Sequence, residues 1–467
     1  MKRWVLGLSL ACLFGSSVSA GETLVGVVQE ALESNPEIGA IRFNRRAIDN
    51  ELNAARGLNL PTFDVRADLG TSRDHSRTGS GFAQTNDWHD RQGVQTIMSQ
   101  RIFDGFESRH EIARQTNRVE SARWRVNDTA NSIALRAVQA YLECIRANAV
   151  LAAAKSNLEA HNSLMRRVRQ RVDGGVANAA EDAEAGARTA NAKAIVAQAE
   201  EAVLNAQALF KSIVGRMPGK LSPPSGARGL PSSEEAAVAE AISASPSVLA
   251  THFDAIAAQA AVGFAYSRFS PKVNFEVSTG HDWGLVENED RNYDAAAMVV
   301  VRWNLFNGGI DKARVWEARA RAAEADGINA NTALLVEREA RVSWSSLRAS
   351  SIRVPELRQQ LSLQHQRRSA YMEQFDTGQR RLLDLLDAQN EIFVVESSLR
   401  TEELIGVYSG YRLLASMGRL VPGLGLELPP EAAVPPAPNL IEGWRTEINA
   451  WPTDVYHDIV TGSISTK

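Results

Sequence analysis

The two halves of this chain carry the same ordered set of segments. VQEALESNPEI, Val28–Ile38, returns as VAEAISASPSV at Val238–Val248. LNLPTFDVRA from Leu58 returns as SRFSPKVNFEV from Ser267, with Pro61 and Pro271 standing 210 positions apart. RIFDGFESRHEIAR from Arg101 returns as RWNLFNGGIDKARV from Arg302, and here Gly105 and Gly308 are 203 apart. LFKSIVG, ending at Gly215, returns as LLASMG, ending at Gly418, again at 203. The offset falls by seven between the proline and the glycine, so the first copy holds a loop seven residues longer. A tandem duplication of one supersecondary unit follows, and whatever one copy builds the other must build too.

Each copy reads as helix, two strands, a long helix, a turn and a return helix. The first runs over 21–220, with strands at 62–70 and 93–103, a long helix over 106–172 and a return helix over 179–214. A linker at 221–237, LSPPSGARGLPSSEE for most of its length, leads to the second copy at 238–421. There the strands fall at 271–280 and 293–305, the long helix at 309–376 and the return helix at 380–417. A proline-rich polar tail, 422–467, has no clear periodicity and is expected to be partly disordered.

The strands alternate with period two. Phe63, Val65, Ala67 and Leu69 take turns with Asp64, Arg66 and Asp68; Val273, Phe275 and Val277 with Lys272, Asn274 and Glu276. Tyr293, Val299, Val301, Trp303 and Leu305 share one phase, Asp294, Arg302 and Asn304 the other. Such a pattern fits a half-buried soluble sheet, or a membrane barrel with lipid outside and water inside. Four strands cannot close a barrel, since the smallest membrane barrels have about eight. Spanning strands would therefore have to be pooled from several chains. The polar connections Gly70–Gln92 and Gly280–Asn292 read as exposed loops, on the outer side of the cell if the strands span.

Between Phe106 and Val172 there is neither proline nor glycine. At about 1.5 Å per residue this helix would extend roughly 100 Å, over three times a bilayer core. Ile112, Val119, Val126, Ile133 and Ala140 keep a seven-residue step, and a second row runs Ala130, Ala137, Cys144, Leu151, Leu158, Met165 and Val172. Sustained heptads predict a coiled-coil seam, and the alanines allow close approach. Cys144 sits in that seam, as a buried small apolar residue and not a reactive thiol.

At the N-terminus Lys2 and Arg3 precede a short apolar run and the small residues Val18-Ser19-Ala20. This predicts a secretory signal peptide over 1–20, cleaved after Ala20. Its loss takes the formal charge from −4 to −6 and removes Cys12, leaving Cys144 alone, so the exported chain has no internal disulfide. A mildly acidic chain without a basic block gives no footing to nucleic acid. No later run reaches eighteen unbroken apolar residues, which excludes a transmembrane helix on that criterion. The eight histidines are scattered, and HExxH, GxSxG and P-loop patterns are absent, so no enzyme, cofactor or metal is expected. His75, His89 and His281 lie in polar loops and read as solvated. A periplasmic coiled-coil scaffold explains the heptads but not the alternating strands set immediately before them.

In the order and spacing of these segments, with Asn35-Pro36, Ser245-Pro246, IFDGF, LFNGG and GQRRLLDLLDAQ, the chain resembles the TolC family of outer-membrane efflux and secretion channels up to about Gly425. The resemblance implies a homotrimer in which each chain gives four strands to a twelve-stranded β-barrel in outer-membrane lipid. The helices would continue it as a coiled-coil tunnel through the periplasm, so the fold class is a mixed α/β membrane protein. It also implies a periplasmic adaptor and an inner-membrane ABC or RND-type pump, since the chain has no energy-coupling motif. IFDGF, LFNGG and the missing lipidation cysteine look more like type I protein-secretion members than small-molecule efflux members. At the second hairpin tip Gly378, Arg380, Asp384 and Asp387 match the family's gate residue by residue. Asp384 and Asp387 would form the narrowest ring, while Arg380 would tie neighbouring coils shut. Phe375 takes the place of a tyrosine that assists the tie. At the 203 offset Glu181 and Glu184 stand where the aspartates do, which makes Glu181 the expected partner of Arg380, ahead of Asp182. Gly174 and Gly175 form the first tip turn, Gly378 the second.

Overall fold

A computed structural model describes residues 22–73, 76–77, 84–85, 88–175, 178–283 and 291–433. The expected leader, parts of the two polar loops and the tail beyond Ala433 lie outside the described residues. In chain order the first copy gives α1 (Leu24–Ser34), α2 (Pro36–Gly57), β1 (Thr62–Arg73), the short β2 (Ser76–Arg77) and β3 (Gln84–Thr85), β4 (Trp88–Phe103), α3 (Glu107–Asp173) and α4 (Ala179–Val214). The second gives α5 (Glu234–Ala244), α6 (Pro246–Tyr266), β5 (Lys272–Trp283), β6 (Arg291–Arg302), α7 (Ile310–Asp376) and α8 (Leu382–Ser416), followed by α9 (Leu420–Gly423). The repeat seen in the sequence is thus a repeat of helix, helix, strand, strand, helix, helix.

The described residues divide into two compact units. One holds the chain up to Pro36, Asn131–Ala237 and Ala340–Glu427; the other holds Glu37–Ala130, Val238–Glu339 and the chain from Leu428.

In the second of these units the long strands form one antiparallel sheet in the order β1-β4-β5-β6. Pairing runs from Thr62↔Ser99 to Arg73↔Trp88 and from Lys272↔Arg302 to Trp283↔Arg291, so the strands outlast the clear alternation. Ladder bonds need only backbone, and pairing therefore continues where the side chains have turned polar. On one face Phe63, Val65 and Leu69 are 68–80 % exposed, and Val299, Val301 and Trp303 are comparably bare. The other face carries Arg91 between Asp68 (3.6 Å) and Asp282 (3.7 Å), and Arg302 beside Glu276 (3.6 Å). Gly93 lies under this group, where a Cβ would come within 2.6 Å of Asp282 Oδ1. A soluble sheet buries its apolar face under its own chain; this one leaves it open.

Both copies leave the sheet by the same turn. Gly105 and Phe106 have φ of 68° and 66°, and Gly308 and Gly309, at the 203 offset, have 71° and 86°. Asp104 caps α3 by accepting from the Ser108 amide (2.8 Å), and Asn307 reaches Asp311 in the equivalent place (2.7 Å). The IFDGF and LFNGG motifs are thus helix-entry turns with a left-handed pair of residues.

Among the described residues one helical stretch, Pro246–Phe269, is long and apolar enough by composition to cross a bilayer, with a mean hydropathy of 1.3. The criterion of eighteen unbroken apolar residues passed over it. It packs against α3: Asp254 pairs with Arg125 (2.6 Å), and a Cβ on Gly263 would run into the ring of His110. The expected tail also begins in order. Leu420 and Val421 are fully buried, and Glu431 is held by Arg42 (2.7 Å) and Arg46 (2.7 Å) of α2. Hydrogen bonds from these arginines outweigh the effect of burial and bring its carboxyl down to about 2.

In the first unit α3 and α4 run antiparallel, as do α7 and α8. Ala137 and Cys144 are buried as the second heptad row requires, and burial raises the Cys144 thiol to about 11. That row then drifts outward, with Leu151, Leu158 and Met165 only partly covered. Buried positions beyond it follow the first row instead, through Ala147, Ala154, His161 and Val168. Two tyrosines pin the linker between copies: Tyr141 donates to the Ser222 carbonyl (2.5 Å) and Tyr411 to that of Ser225 (2.9 Å).

Candidate functional site: the tips of the two helical hairpins

The hairpin tips are made by short glycine turns. α3 ends at Asp173, and Gly174 and Gly175 follow, the latter at φ 72°. Asn178 then caps α4 by accepting from the Glu181 amide (3.0 Å). Glu181 and Asp182 occupy the first turn of α4, where a carboxylate is favoured by the helix dipole. In the second hairpin α7 ends at Asp376 and Gly378 takes φ 77°. The Gly378 amide bonds the Phe375 carbonyl (3.1 Å) and the Gln379 amide that of Gln374 (2.8 Å), a paired closure that needs a left-handed residue at this point.

A small apolar core joins the tips. Phe375, Leu382, Leu385 and Leu386 pack with Leu164, Val168 and Ala185, each under 5 % exposed. Leu383 is 38 % exposed and takes no part in this core. It shares the outward face of α8 with Asp384 and Asp387, whose side chains are 25 % and 54 % exposed. The carboxylates are therefore on one face, turned away from the leucines that fix the helix.

The ion pairs differ from those expected. Arg380 and Glu181 are not brought together. Arg380 instead lies over the ring of Tyr371 at 4.1 Å, donates to Gln374 (3.0 Å) and stands 3.7 Å from Asp384. Arg381 approaches Asp384 from the other side (3.6 Å). Asp182 pairs with Arg169 of its own hairpin (3.1 Å). Glu184 binds Arg188 (3.1 Å), and the same guanidinium crosses to Asp387 of α8 (3.0 Å). Phe375 was expected beside the tie. It is 3 % exposed inside the core, under the Arg171 guanidinium (4.5 Å), which also donates to its carbonyl (2.8 Å). Tyr371, one turn earlier on the same helix face, carries the aromatic contact to the arginine.

Tyr371 and Arg188 are thus site residues that the sequence reading missed. A tyrosine four positions before Phe375 and an arginine four after Glu184 were the available signals. As for the histidines, His75 lies outside the described residues and the side chain of His89 does too. His281 packs on Trp283 (4.2 Å between centroids) at the apolar face of β5.

The family model described as outer membrane efflux protein matches residues 27–216 and 237–403. The chain belongs to this family. Among curated relatives it is 27 % identical over 433 residues to the outer membrane efflux protein BepC of Brucella suis, covering 90 % of this chain and 92 % of that one. Among solved structures it resembles the CmeC outer membrane channel of Campylobacter jejuni, with a TM-score of 0.76, 15 % identity and coverage of 91 % and 89 %. It is similar as well to the outer membrane protein VceC of Vibrio cholerae, with a TM-score of 0.74, 18 % identity and coverage of 87 % and 97 %. At these identities the structural likenesses speak for the fold.

Proposed function

We propose that this efflux-family chain is one third of a trimeric outer-membrane exit duct, loaded from the inner membrane through a periplasmic adaptor and an ABC or RND-type pump. The observation that carries the reading is the sheet. Its apolar face is bare and, among the described residues, its β1 and β6 edges have no partner, which one chain alone cannot sustain in water. Three copies would join these edges into a closed barrel with lipid on the apolar face and water against Arg91, Asp68 and Asp282. The mature chain would begin after Ala20 and place its two repeats around the barrel, with the loops after β1 and β5 outside the cell.

At the tips, three copies of Asp384 and Asp387 would ring one opening, a site that attracts cations and narrows the exit. Small-molecule efflux is the favoured cargo class, because the curated relative is an efflux protein. Protein secretion is the second reading, and it loses ground because IFDGF and LFNGG have a local task as helix-entry turns. Membrane fractionation and native mass measurement of the detergent-extracted protein test the assembly. Recovery in the outer membrane as a species of three chains is expected; a soluble periplasmic monomer would overturn it.

A further inference from the structure

α3 turns one heptad row inward along the first unit: Ile133, Ala140, Ala147, Ala154, His161 and Val168 are each no more than 3 % exposed. Every member but His161 is apolar. Its surroundings follow from the hairpin register. Arg169 meets Asp182 and Lys155 meets Glu200, so the level of His161 falls near Ala192 of α4, with Arg188 and Thr189 one turn nearer the tip. Thr189 is buried there, and Arg188 spans Glu184 and Asp387. One turn farther from the tip, Gln389 of α8 donates to Asn157 (3.1 Å) and accepts from Arg368 of α7 (3.0 Å). The charged groups at this layer are therefore Arg188 and Glu184 from α4, Asp387 from α8 and Arg368 from α7. On α3 itself, Glu159 and Arg166 pair with each other at the exposed surface. Within this layer the Nδ1 atom of His161 is buried with no hydrogen-bond partner.

We propose that His161 is a proton-operated release for the gate, and that Arg188 is the clasp it releases. Neutral, the imidazole leaves the seam uncharged while the Arg188 guanidinium holds Asp387 of the second hairpin to α4 of the first. Protonated, it places a second cation in the seam beside Arg188. A buried cation without a partner is costly, and hydration relieves it only if α4 and α8 part. Burial first, and Arg188 second, hold the imidazole below its ordinary pKa, so the closed tip keeps it neutral at pH 7. Opening returns the ring to water, where it binds a proton more readily; falling pH therefore favours the open tip. The plainer role for a polar residue in a heptad seam is to fix register. A register device would change stability without creating an acid response, and this difference decides between the two.

The proposal rests on the gate reading of Asp384 and Asp387, and the test separates them. The full-length channel is reconstituted in planar bilayers, and conductance is compared at about pH 5.5 and about pH 7.5. Wild type should rise on acidification by up to about tenfold per pH unit per titrating site. His161→Gln should lose the rise, and Arg188→Gln should be raised at both values. His161→Ala repeats the measurement should the glutamine variant not assemble, since both lack a titrating ring. A wild type without an acid response, or a His161 variant that keeps it in full, overturns the release. If Asp384→Ala with Asp387→Ala also leaves multivalent-cation block as in wild type, the gate reading itself has failed. If that block is lost while no acid response exists, only the release is wrong.

Discussion

Phe375 offers a test in which sequence and structure predict opposite signs. By resemblance it stands where a tyrosine would help tie the gate, so Phe375→Tyr should restore a hydrogen bond and strengthen closure. In the structure its ring is 3 % exposed among Leu164, Val168, Leu382, Leu385 and Leu386. A phenolic hydroxyl there would be buried without a partner, at a cost of about 1–3 kcal/mol. Phe375→Ala would cost about 3–5 kcal/mol through the lost burial and the cavity left behind. Loss of the Arg171 contact over the ring adds about 0.5–1 kcal/mol, although the hydrogen bond from Arg171 to the backbone carbonyl would survive. Since the core is confined to the tips, the loss should appear as local opening and not as collapse of the chain. Hydrogen exchange in the reconstituted channel is the assay. Amides from Leu382 to Ile392 should exchange faster by about one order of magnitude in Phe375→Tyr and at least two in Phe375→Ala, at about 1.4 kcal/mol per tenfold. Unchanged or slower exchange in Phe375→Tyr would refute the placement of this ring in the core.

The two strand-exit glycines should respond unequally to alanine. At Gly105 a Cβ would strike Ser270 and come within 2.9 Å of the Ser267 carbonyl, whereas at Gly308 nothing lies within 4 Å. Gly308→Ala should therefore pay only the left-handed backbone cost of about 1 kcal/mol, and Gly105→Ala should assemble far less well, as read by heat-modifiable migration. Glu431 gives a pH signature of another kind. Its folded pKa is depressed to about 2 from 4.5, so its contribution is complete above about pH 4.5 and lost as pH falls toward 2. Protease access near Leu428 should rise over that window, and Glu431→Gln should show the access already at neutral pH. Cys144, buried and with its thiol raised to about 11, should resist thiol reagents until the chain is denatured.

The fold class was legible because two periodicities, two and seven, alternate in a fixed order and then do so again. The ends of β1 and β4 were not, because ladder pairing continues to Arg73↔Trp88 after the alternation has stopped. At the tips the charged residues could be named, but their partners could not. Arg188 meets Asp387 only because α4 docks on α8, and no local spacing encodes a contact across 199 positions. Tyr371 and Phe375 share a helix face, and which of them is buried depends on where Leu164 and Val168 arrive from α3. His161 was within reach: it stands three heptads beyond Ala140 in a row that was not followed past that alanine. The task of IFDGF and LFNGG as helix-entry turns was not legible, because their backbone conformation, two successive left-handed residues, is invisible without coordinates.

Block by multivalent cations is the most direct test of the duct and its gate. Single-channel conductance of the reconstituted protein is recorded with a trivalent cation added on the side of the hairpin tips. The wild type, with Asp384 and Asp387 from each copy around one opening, should be blocked through the oxygen ligands that hard cations prefer. Asp384→Ala with Asp387→Ala should assemble normally and conduct without block. A protein that forms no conducting pore, or a double variant blocked as tightly as wild type, would contradict the account.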